Sequence, residues 1–522
     1  MHTCLKVDEI LRLIAYELVP PGIIIGAERR ATAVALACCR QGFEDPVLDV
    51  LWESQHRLIP LLKTLPEDVW NERECTHLRR PPTTLELTRF QKYTRRMREF
   101  RDIGSLHGLP PEMFLVLQRL AFSEPLLPNL KTFRLWSIIA EFVPLILLFV
   151  SPRTTSIDIG FDTFNLPKPL FASTIAILPT RCPSLQHIGL QLPRDPMVTA
   201  TVSEFLLTTN RNTLRSFYAD SPLTKEAREV ISKLPDLRRL MVVTEKDTSL
   251  PSLVLPSLTH LVIKGDHDGG LLQMFHGATL KKLESVSFFV SEQIGDLLGA
   301  FGRVALALSV QNTLSEFCLY TACSWNPTYS SLLPFTQLTC LFIESSCDGG
   351  CSSRVDDDII INLARSMPKL EMVVLGDEPC SRIPTGVTAR GLVALAHHCP
   401  NLSLLRVHFH VATLSALPPT VGVTSNPGST ALAGGCALAD LEVGDIPMPK
   451  QSVLMVAVTL VRIFPHIEGI DYTDEGWGEV MDAINHSRQI IGYSSKEHHL
   501  TKPQSNLNDA SLGATPGSAT WS

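Results

Sequence analysis

Leucine and other apolar residues recur along most of the chain in one short pattern. From residue 126 onward, a polar or proline-bearing lead is followed by a loose form of Leu-x-x-Leu-x-Leu, as in segments 127–136, 255–265 and 399–409. About thirteen such copies occur, mostly 21 to 36 residues apart. A period of this length is typical of a solenoid, in which each repeat buries its apolar face against its neighbours.

Each copy predicts one β-strand, and a helical segment lies between many of the strands. The last two apolar residues of the pattern alternate with polar ones, so they lie on one strand face and point inward. Helix-like segments separate the strands, for example 222–234, 355–367 and 388–399. The sequence therefore predicts an α/β fold, a leucine-rich-repeat solenoid of parallel strands over 126–474. The alternative is an alternating helix–strand domain with a parallel sheet. The leucines predicted to be buried at equivalent positions are Leu130, Leu185, Leu237, Leu258, Leu338, Leu370 and Leu402.

Three further apolar patterns, with helical spacing, lie within residues 4–54. The first covers 8–18, with Asp8 as its expected cap; the second covers 28–39 and should stop at Gly42; the third begins near Pro46. In the second pattern one face carries Ala31, Val34, Ala35, Cys38 and Cys39. Three helices of this size bury only a small core, so they tend to leave apolar surface for a partner.

The residues of this segment resemble the F-box motif. The similarity rests on Glu9-Ile10-Leu11, Cys39-Arg40, Phe43 and Leu51-Trp52, where the motif has Glu-Ile-Leu, Val-Cys-Arg, an aromatic residue and a final Leu-Trp. Val7 replaces the usual proline, and 20–26 forms a longer loop. Together with the repeats, of which 385–407 is the closest copy, the chain resembles fungal-type F-box proteins with irregular leucine-rich repeats. A plain three-helix cap on a larger domain is the alternative.

This resemblance implies a substrate receptor of an SCF-type cullin ubiquitin ligase. The segment 4–54 would dock on a Skp-family adaptor, which connects to a cullin, and the repeats would hold a target protein. Such a receptor is not an enzyme and needs no catalytic residues. The alternatives are a repeat scaffold without ligase association and an enzyme whose site is assembled from distant residues. The adaptor-binding residues that the resemblance implies are Glu9, Ile10, Leu11, Ile14, Cys39, Phe43, Leu51 and Trp52.

Composition and charge narrow the function classes. The 522 residues are 45% hydrophobic and 19% charged, which is typical of a folded protein with more than one compact core or a solenoid. A formal net charge of −7 argues against general nucleic-acid binding. The longest apolar run, 138–150, is too short to cross a membrane and is expected to form a buried helix. No signal peptide is apparent and the thirteen cysteines form no disulfide framework, so we expect an intracellular location, cytoplasmic or nuclear.

The remaining segments are expected to support the repeats. Residues 55–125 read as a helical linker region, with a basic helix over 83–100 and another helix over 110–122. An inserted loop over 414–435, a capping helix over 475–493 and a disordered tail over 494–522 complete the chain. No catalytic motif or phosphate loop occurs, and Cys323, Cys340, Cys347 and Cys351 lack zinc-site spacing, so we expect no cofactor and no metal.

Outward-pointing strand residues form the predicted target-binding surface. Side chains alternate along a strand, and stacked strands align the outward ones in columns on the concave face. The predicted substrate-binding residues are Arg134, Trp136, Tyr218, Lys264, Phe289, Tyr320, Phe342, Glu344, Arg406 and His408, with Asp158, Gln191, Met241, Glu442 and Asp471 as further outward positions. We expect an aromatic centre flanked by charges, unless the inserted loop or the tail covers it.

Overall fold

The computed structural model describes most of the chain. The described residues are 7–19, 27–70, 79–80, 82–103, 117–118, 121, 125–138, 140–161, 168–192, 194–209, 212–244, 251–265, 273–290, 297–322, 328–346, 355–378, 386–415, 436–444, 446–472 and 474–491. Most of the helix predicted over 110–122, most of the inserted loop, and the tail lie outside them. Two compact units are present, Met1–Val243 and Thr244–Ser522.

The first unit begins with helices and continues as a sheet. Its helices are α1 (Asp8–Leu18), α2 (Ala27–Cys39), α3 (Gln41–Glu53), α4 (Ile59–Leu62), α5 (Thr84–Thr94), α6 (Ile146–Phe149), α7 (Lys168–Arg181), α8 (Pro196–Thr208) and α9 (Lys225–Ile231). Its strands are β1 (Ser54–Gln55), β2 (Glu99–Ile103), β3 (Thr132–Ile138), β4 (Ser156–Phe161), β5 (His187–Gln191), β6 (Ser216–Ala219) and, at its end, β7 (Arg239–Thr244). Each of these strands pairs in parallel with the next.

The second unit repeats the same arrangement. Its strands are β8 (His260–Gly265), β9 (Ser285–Val290), β10 (Glu316–Ala322), β11 (Cys340–Ser346), β12 (Met372–Glu378), β13 (Leu404–Val407), β14 (Asp440–Gly444) and β15 (Gly469–Tyr472). Its helices are α10 (Leu297–Ala307), α11 (Asp357–Ser366), α12 (Ala389–His398), α13 (Val411–Ser415), α14 (Val453–Ile463) and α15 (Gly476–Ile491). All of these strands are parallel and follow chain order across the sheet.

The predicted α/β solenoid of parallel strands is confirmed. All seven leucines chosen from the pattern have a relative exposure of 0%. The terminal helix predicted over 475–493 is α15, and α11 begins where the pattern placed it, with the Asp356 carboxylate accepting from the Ile359 N–H at 2.9 Å. That the three N-terminal helices form an F-box stays a prediction.

Small polar side chains connect successive repeats inside the core. Several turns that precede a strand contain a backbone carbonyl that faces the next repeat. A buried carbonyl of this kind needs a hydrogen-bond donor. Thr154, Thr213 and Thr313 donate to the carbonyls of Leu130, Leu185 and Leu283 at 3.1, 2.8 and 2.7 Å. Further along, the thiols of Cys399 and Cys436 lie 3.6 and 3.9 Å from the carbonyls of Met367 and Leu402. Threonine and cysteine thus satisfy the turn carbonyls of the preceding repeat.

Several local predictions were wrong near the N-terminus. Helix α1 is capped by Val7, with Asp8 in its first turn. The face of α2 that carries Val34 is exposed, because Ala33 and Ala37 are the residues that pack inward. Helix α3 starts at Gln41, so Gly42 lies inside it and Pro46 is an interior residue.

Two expected helices were also shorter than predicted. The helix predicted over 83–100 ends at Thr94, and Glu99–Ile103 is strand β2, because Phe100 is fully buried between Phe133 and Phe149. The sheet therefore begins in the region that we expected to be helical. The apolar run 138–150 is a 3₁₀ helix over Ala140–Leu145 followed by α6, since Pro144 lacks the N–H that an α-helix interior needs. Among the described residues, no helix combines the length and apolarity required to cross a membrane.

Candidate target-binding face

Parallel register brings outward residues of the second unit into one line. Lys264 of β8 is opposite Phe289 of β9, Phe289 is opposite Tyr320 of β10, and Tyr320 is opposite Glu344 of β11. Phe342 belongs to the adjacent outward column, in register with Cys318. Paired positions on neighbouring strands are about 5 Å apart, so large side chains at these positions can contact one another.

Three rings form a continuous stack that we call the aromatic ladder: Phe289, Tyr320 and Phe342. The Phe289 and Tyr320 rings are nearly parallel, with centroids 4.4 Å apart and an interplanar angle of 4°. The Phe342 ring lies 4.7 Å from Tyr320 at 35°. Lys264 Nζ lies 5.4 Å from the centroid of the Phe289 ring, within cation–π range. All three rings keep partial exposure, so they form a firm apolar surface that a ligand can reach.

Charged groups follow the ladder along the sheet. Arg406 of β13 lies between two carboxylates, with Nη1 3.3 Å from Glu344 Oε1 and Nε 3.8 Å from Glu442 Oε2. The bridge to Glu344 spans β12, where Gly376 has no side chain and a φ of +140°. A Cβ built on Gly376 would lie 3.2 Å from Cδ2 of His408, so the imidazole rests on the glycine.

Burial affects the ionisation of this region. It raises the pKa of Glu442, against the lowering effect of Arg406, and repulsion from Asp471, Glu344 and Asp440 acts in the same direction as burial. Burial also raises the pKa of the Tyr320 hydroxyl, which therefore stays protonated at neutral pH. The described residues include no group of three or more His, Cys, Asp or Glu side chains arranged to hold a metal ion.

Two thiols lie beside the ladder. Cys340 Sγ is 3.8 Å from Met372 Sδ, and both Cys318 and Cys340 are buried on the outward side of their strands. The hydrogen bond with the Cys318 thiol, followed by burial, raises the pKa of Cys340. Cys318 and Cys340 therefore pack beside the aromatic ladder as buried residues, and the Cys340 thiol stays protonated at neutral pH.

The outward face of the first unit is organised around one carboxylate. Asp158 of β4 lies 3.2 Å from Arg134 Nε through Oδ2 and 2.7 Å from His187 Nε2 through Oδ1. The His187 ring in turn lies 5.7 Å from the ring of Tyr218. The Asp158 side chain is only 14% exposed, so its carboxylate is engaged by Arg134 and His187 and is little exposed to a ligand.

Glycines make room for the large side chains of this first face. A Cβ built on Gly189 would lie 2.0 Å from Oδ1 of Asp158, and one built on Gly160 would lie 2.6 Å from Cε3 of Trp136. Both positions are strand positions at which alternation alone predicts an outward side chain. The absence of that side chain lets Asp158 and Trp136 lie flat across the neighbouring strand.

The structure separates the predicted target-binding residues into two groups. Arg134, Trp136, Asp158, Gln191, Tyr218 and Met241 lie in the first unit, and the others lie in the second. Met241 follows Leu240, the register partner of Phe217, so it is on the same strand face as Tyr218, but it is buried there at 8% exposure. Pattern analysis missed His187, whose signal was its outward position in the segment 182–192. It also missed the role of Gly160 and Gly189, because alternation predicts which strand face a residue occupies and not how much room its neighbours need.

The predicted adaptor-binding residues are divided between surface and core. Glu9 and Cys39 are exposed, Ile14 is 36% exposed, and Ile10 is half-buried. Leu11 and Phe43 are 1% and 8% exposed, so they pack inside the first unit and are not surface contacts here. Leu51 packs against the small core of the three helices, and the Trp52 ring lies 4.7 Å from Tyr93 of α5. Two further large apolar residues are exposed at this helix, Leu13 within α1 at 64% and Val7 just before it at 42%.

Ion pairs attach the three helices to α5 and the segment after it. Asp49 of α3 accepts from Arg12 of α1 at 2.9 Å and also from Arg96. Arg96 and Lys92 pair with Asp45, and the Arg96 hydrogen bond holds the pKa of that carboxyl below its usual range. Tyr16 donates to Glu53, which raises the pKa of Tyr16 to about 12. These groups line a polar cavity of about 590 Å³ and fix which side of α1 faces away from the repeats.

Comparison with known proteins gives little further information. No protein-family model matches the chain, and no curated protein matches it. Among solved structures, it is similar to the crystal structure of the Rad7 and Elc1 complex in yeast, with 17% identity, a TM-score of 0.38, and coverage of 74% of this chain and 92% of that chain. It is also similar to the leucine-rich repeat-containing protein LegL7 from Legionella pneumophila, with 11% identity, a TM-score of 0.29, and coverage of 70% and 98%. At these TM-scores the similarities carry no argument about fold or function.

Proposed function

We propose that this chain is the target-recognition subunit of an SCF-type ubiquitin ligase, with the three N-terminal helices docking on a Skp-family adaptor and the repeat face holding a protein target. The observation that carries the proposal is α1. One side of this helix packs Leu11 and Ala15 into the unit, while Leu13 on the opposite side and Ile14 on the flank are exposed at 64% and 36%. An exposed apolar strip of this kind is typical of a surface that binds a partner.

The position of this side supports an external partner. Arg12 and Tyr16 of α1 point toward Asp49 and Glu53 of α3, so the polar side of the helix is already engaged within the unit. The exposed apolar side coincides with the segment whose residues resemble the F-box motif. The adaptor would therefore contact Ile10, Leu13 and Ile14, and Leu11 would act indirectly by holding the helix in place.

A pull-down with purified components tests this proposal. The full chain is co-expressed with a Skp-family adaptor, and capture is compared for the parent and the double variant Leu13→Arg/Ile14→Arg. Charges in an apolar interface are strongly unfavourable, so we expect adaptor affinity to fall by at least about tenfold. The matched control is Leu85→Arg, an 81% exposed leucine on α5 that should leave capture unchanged.

The outcome also distinguishes the alternative function. If the parent chain captures no adaptor, or if the double variant captures it as well as the parent, the ligase proposal is wrong. The chain would then be better described as a repeat scaffold that binds proteins without ligase association. Circular dichroism of each variant checks that the exposed substitutions leave the fold intact.

A further inference from the structure

We infer that the outward strand face of the second unit binds an extended, basic segment of a target protein, with an apolar or aromatic side chain on the aromatic ladder and lysine or arginine side chains over β13 to β15. This inference rests on the proposed function only in calling the ligand a target, since the face lies wholly within the second unit. Three observations carry it.

The first observation is the ladder itself. Phe289, Tyr320 and Phe342 hold one another through ring contacts of 4.4 and 4.7 Å, so a ligand does not have to order them. Preordered aromatic side chains are the usual anchors of protein interfaces.

The second observation is the balance of charge beyond the ladder. The outward positions of β11, β13, β14 and β15 include the carboxylates Glu344, Asp440, Glu442 and Asp471 and the guanidinium of Arg406. Among the described outward positions of these strands, negative groups therefore outnumber positive ones. Burial is the main cause of the raised pKa of Glu442, and repulsion from Asp471, Glu344 and Asp440 adds to it. A cationic side chain placed there would relieve this repulsion.

The third observation is the spacing. From Phe289 on β9 to Glu442 on β14 the register crosses five strand intervals, which is about 24 Å at about 4.8 Å each. An extended chain covers this distance with about seven residues at about 3.3 Å per residue. A short linear segment can therefore place one side chain on the ladder and another over the carboxylates at the same time.

The same features disfavour other ligands. Nucleic acid and phosphorylated segments carry phosphates, which the carboxylates would repel. An acidic segment would meet like charges at β14 and β15, and like-charge contacts reduce affinity. Lys264, whose ammonium lies over Phe289, is at the opposite end of the ladder and helps to set the orientation of the segment.

A random-peptide display selection with the full chain tests the inference. The probe is a library of short linear peptides of unbiased composition, and the readout is the residue composition of the retained peptides. We expect lysine and arginine to be enriched at least about fivefold over aspartate and glutamate, together with an aromatic or large apolar residue at a fixed distance. Enrichment of acidic residues, loss of the charge bias, or retention of no peptide would each overturn the inference.

Variants identify the face and separate the two proposals. The double variant Glu442→Gln/Asp471→Asn should lower the affinity for the selected basic peptide about tenfold, and this difference should shrink as salt is added. Tyr320→Ala should lower the affinity for that peptide and for a version whose basic residues are replaced by glutamate by the same factor. Asp358→Asn, which changes a 78% exposed carboxylate on α11, should change neither affinity. Unchanged affinity in the first variant overturns the inference. Adaptor capture by the same preparations tests the ligase proposal separately, since none of these residues lies in the N-terminal helices.

Discussion

The outward strand faces of the two units share the same parallel backbone but differ in their side chains: in the first unit these pair with one another, and in the second they form a surface that a ligand can reach. In the first unit, Asp158 is enclosed between Arg134 and His187, and its charge is satisfied within the fold. In the second unit, the rings of the ladder contact one another and the charges lie to one side, around Arg406. A parallel repeat sheet thus does not by itself define a binding face. The outward side chains decide whether a face is closed or can accept a ligand.

The glycines show how each face was made. Gly160 and Gly189 in the first unit, and Gly376 in the second, are outward positions without a side chain. Each allows a large neighbour to lie across the strand: Trp136, Asp158 and His408, respectively. The neighbouring side chain occupies the space that a Cβ would take at each of these positions. The glycines therefore influence which charged and aromatic side chains come into contact.

The largest expected effect follows from the enclosed carboxylate. Asp158→Ala removes the carboxylate that Arg134 and His187 share, at sites only 24% and 23% exposed, so we expect the free energy of unfolding to fall by about 2–3 kcal/mol. Glu344→Ala should cost only about 1 kcal/mol, because Arg406 keeps Glu442. Urea unfolding followed by circular dichroism measures both, with Asp236→Ala as an exposed control. Equal losses would show that the first face is no more closed than the second.

An intermediate effect is expected at the glycines. Gly376→Ala places a side chain at a φ of +140° and against His408, which should cost about 1–2 kcal/mol. Gly160→Ala should cost about 1 kcal/mol and displace Trp136, and only this variant should shift the tryptophan emission. The control is Gly42→Ala, which meets no atom within 4 Å inside α3 and should be stabilising by up to about 1 kcal/mol. Thermal unfolding measures all three, and a destabilised control would contradict the steric explanation.

The smallest expected effect is the pH dependence at Glu442. A carboxyl whose pKa is raised on folding binds its proton more tightly in the folded state, so its charged form destabilises the fold at neutral pH. That destabilisation is relieved as pH falls through the raised pKa toward the ordinary value of 4.5. Glu442→Gln should therefore be more stable than the parent at neutral pH, by at most about 0.5 kcal/mol, and equal to it in acid. A stability difference that is constant with pH, or of opposite sign, would contradict the assignment; exposed Glu284→Gln is the control.

The sequence by itself determined the repeat, the inward leucines and most helix positions in the repeats. These features depend on alternation within one strand, on the 3.6-residue period of a helix, and on caps such as Asp356, all of which are local. The bounds of α15 and the burial of Leu130 or Leu402 were predictable for this reason. Helix faces were less predictable where both sides of a helix are apolar, as in α2, because periodicity then fits two orientations.

Only the tertiary structure decided which outward residues meet. Register between parallel strands depends on the length and path of every intervening turn, so nothing local indicates that Asp158 reaches His187 or that Phe342 touches Tyr320 from the adjacent column. The same is true of the bridge from Arg406 to Glu344, which spans the intervening strand β12. Repeats specify that side chains point outward. Their partners are set by contacts between residues far apart in the chain, and those contacts form only when the strands are stacked.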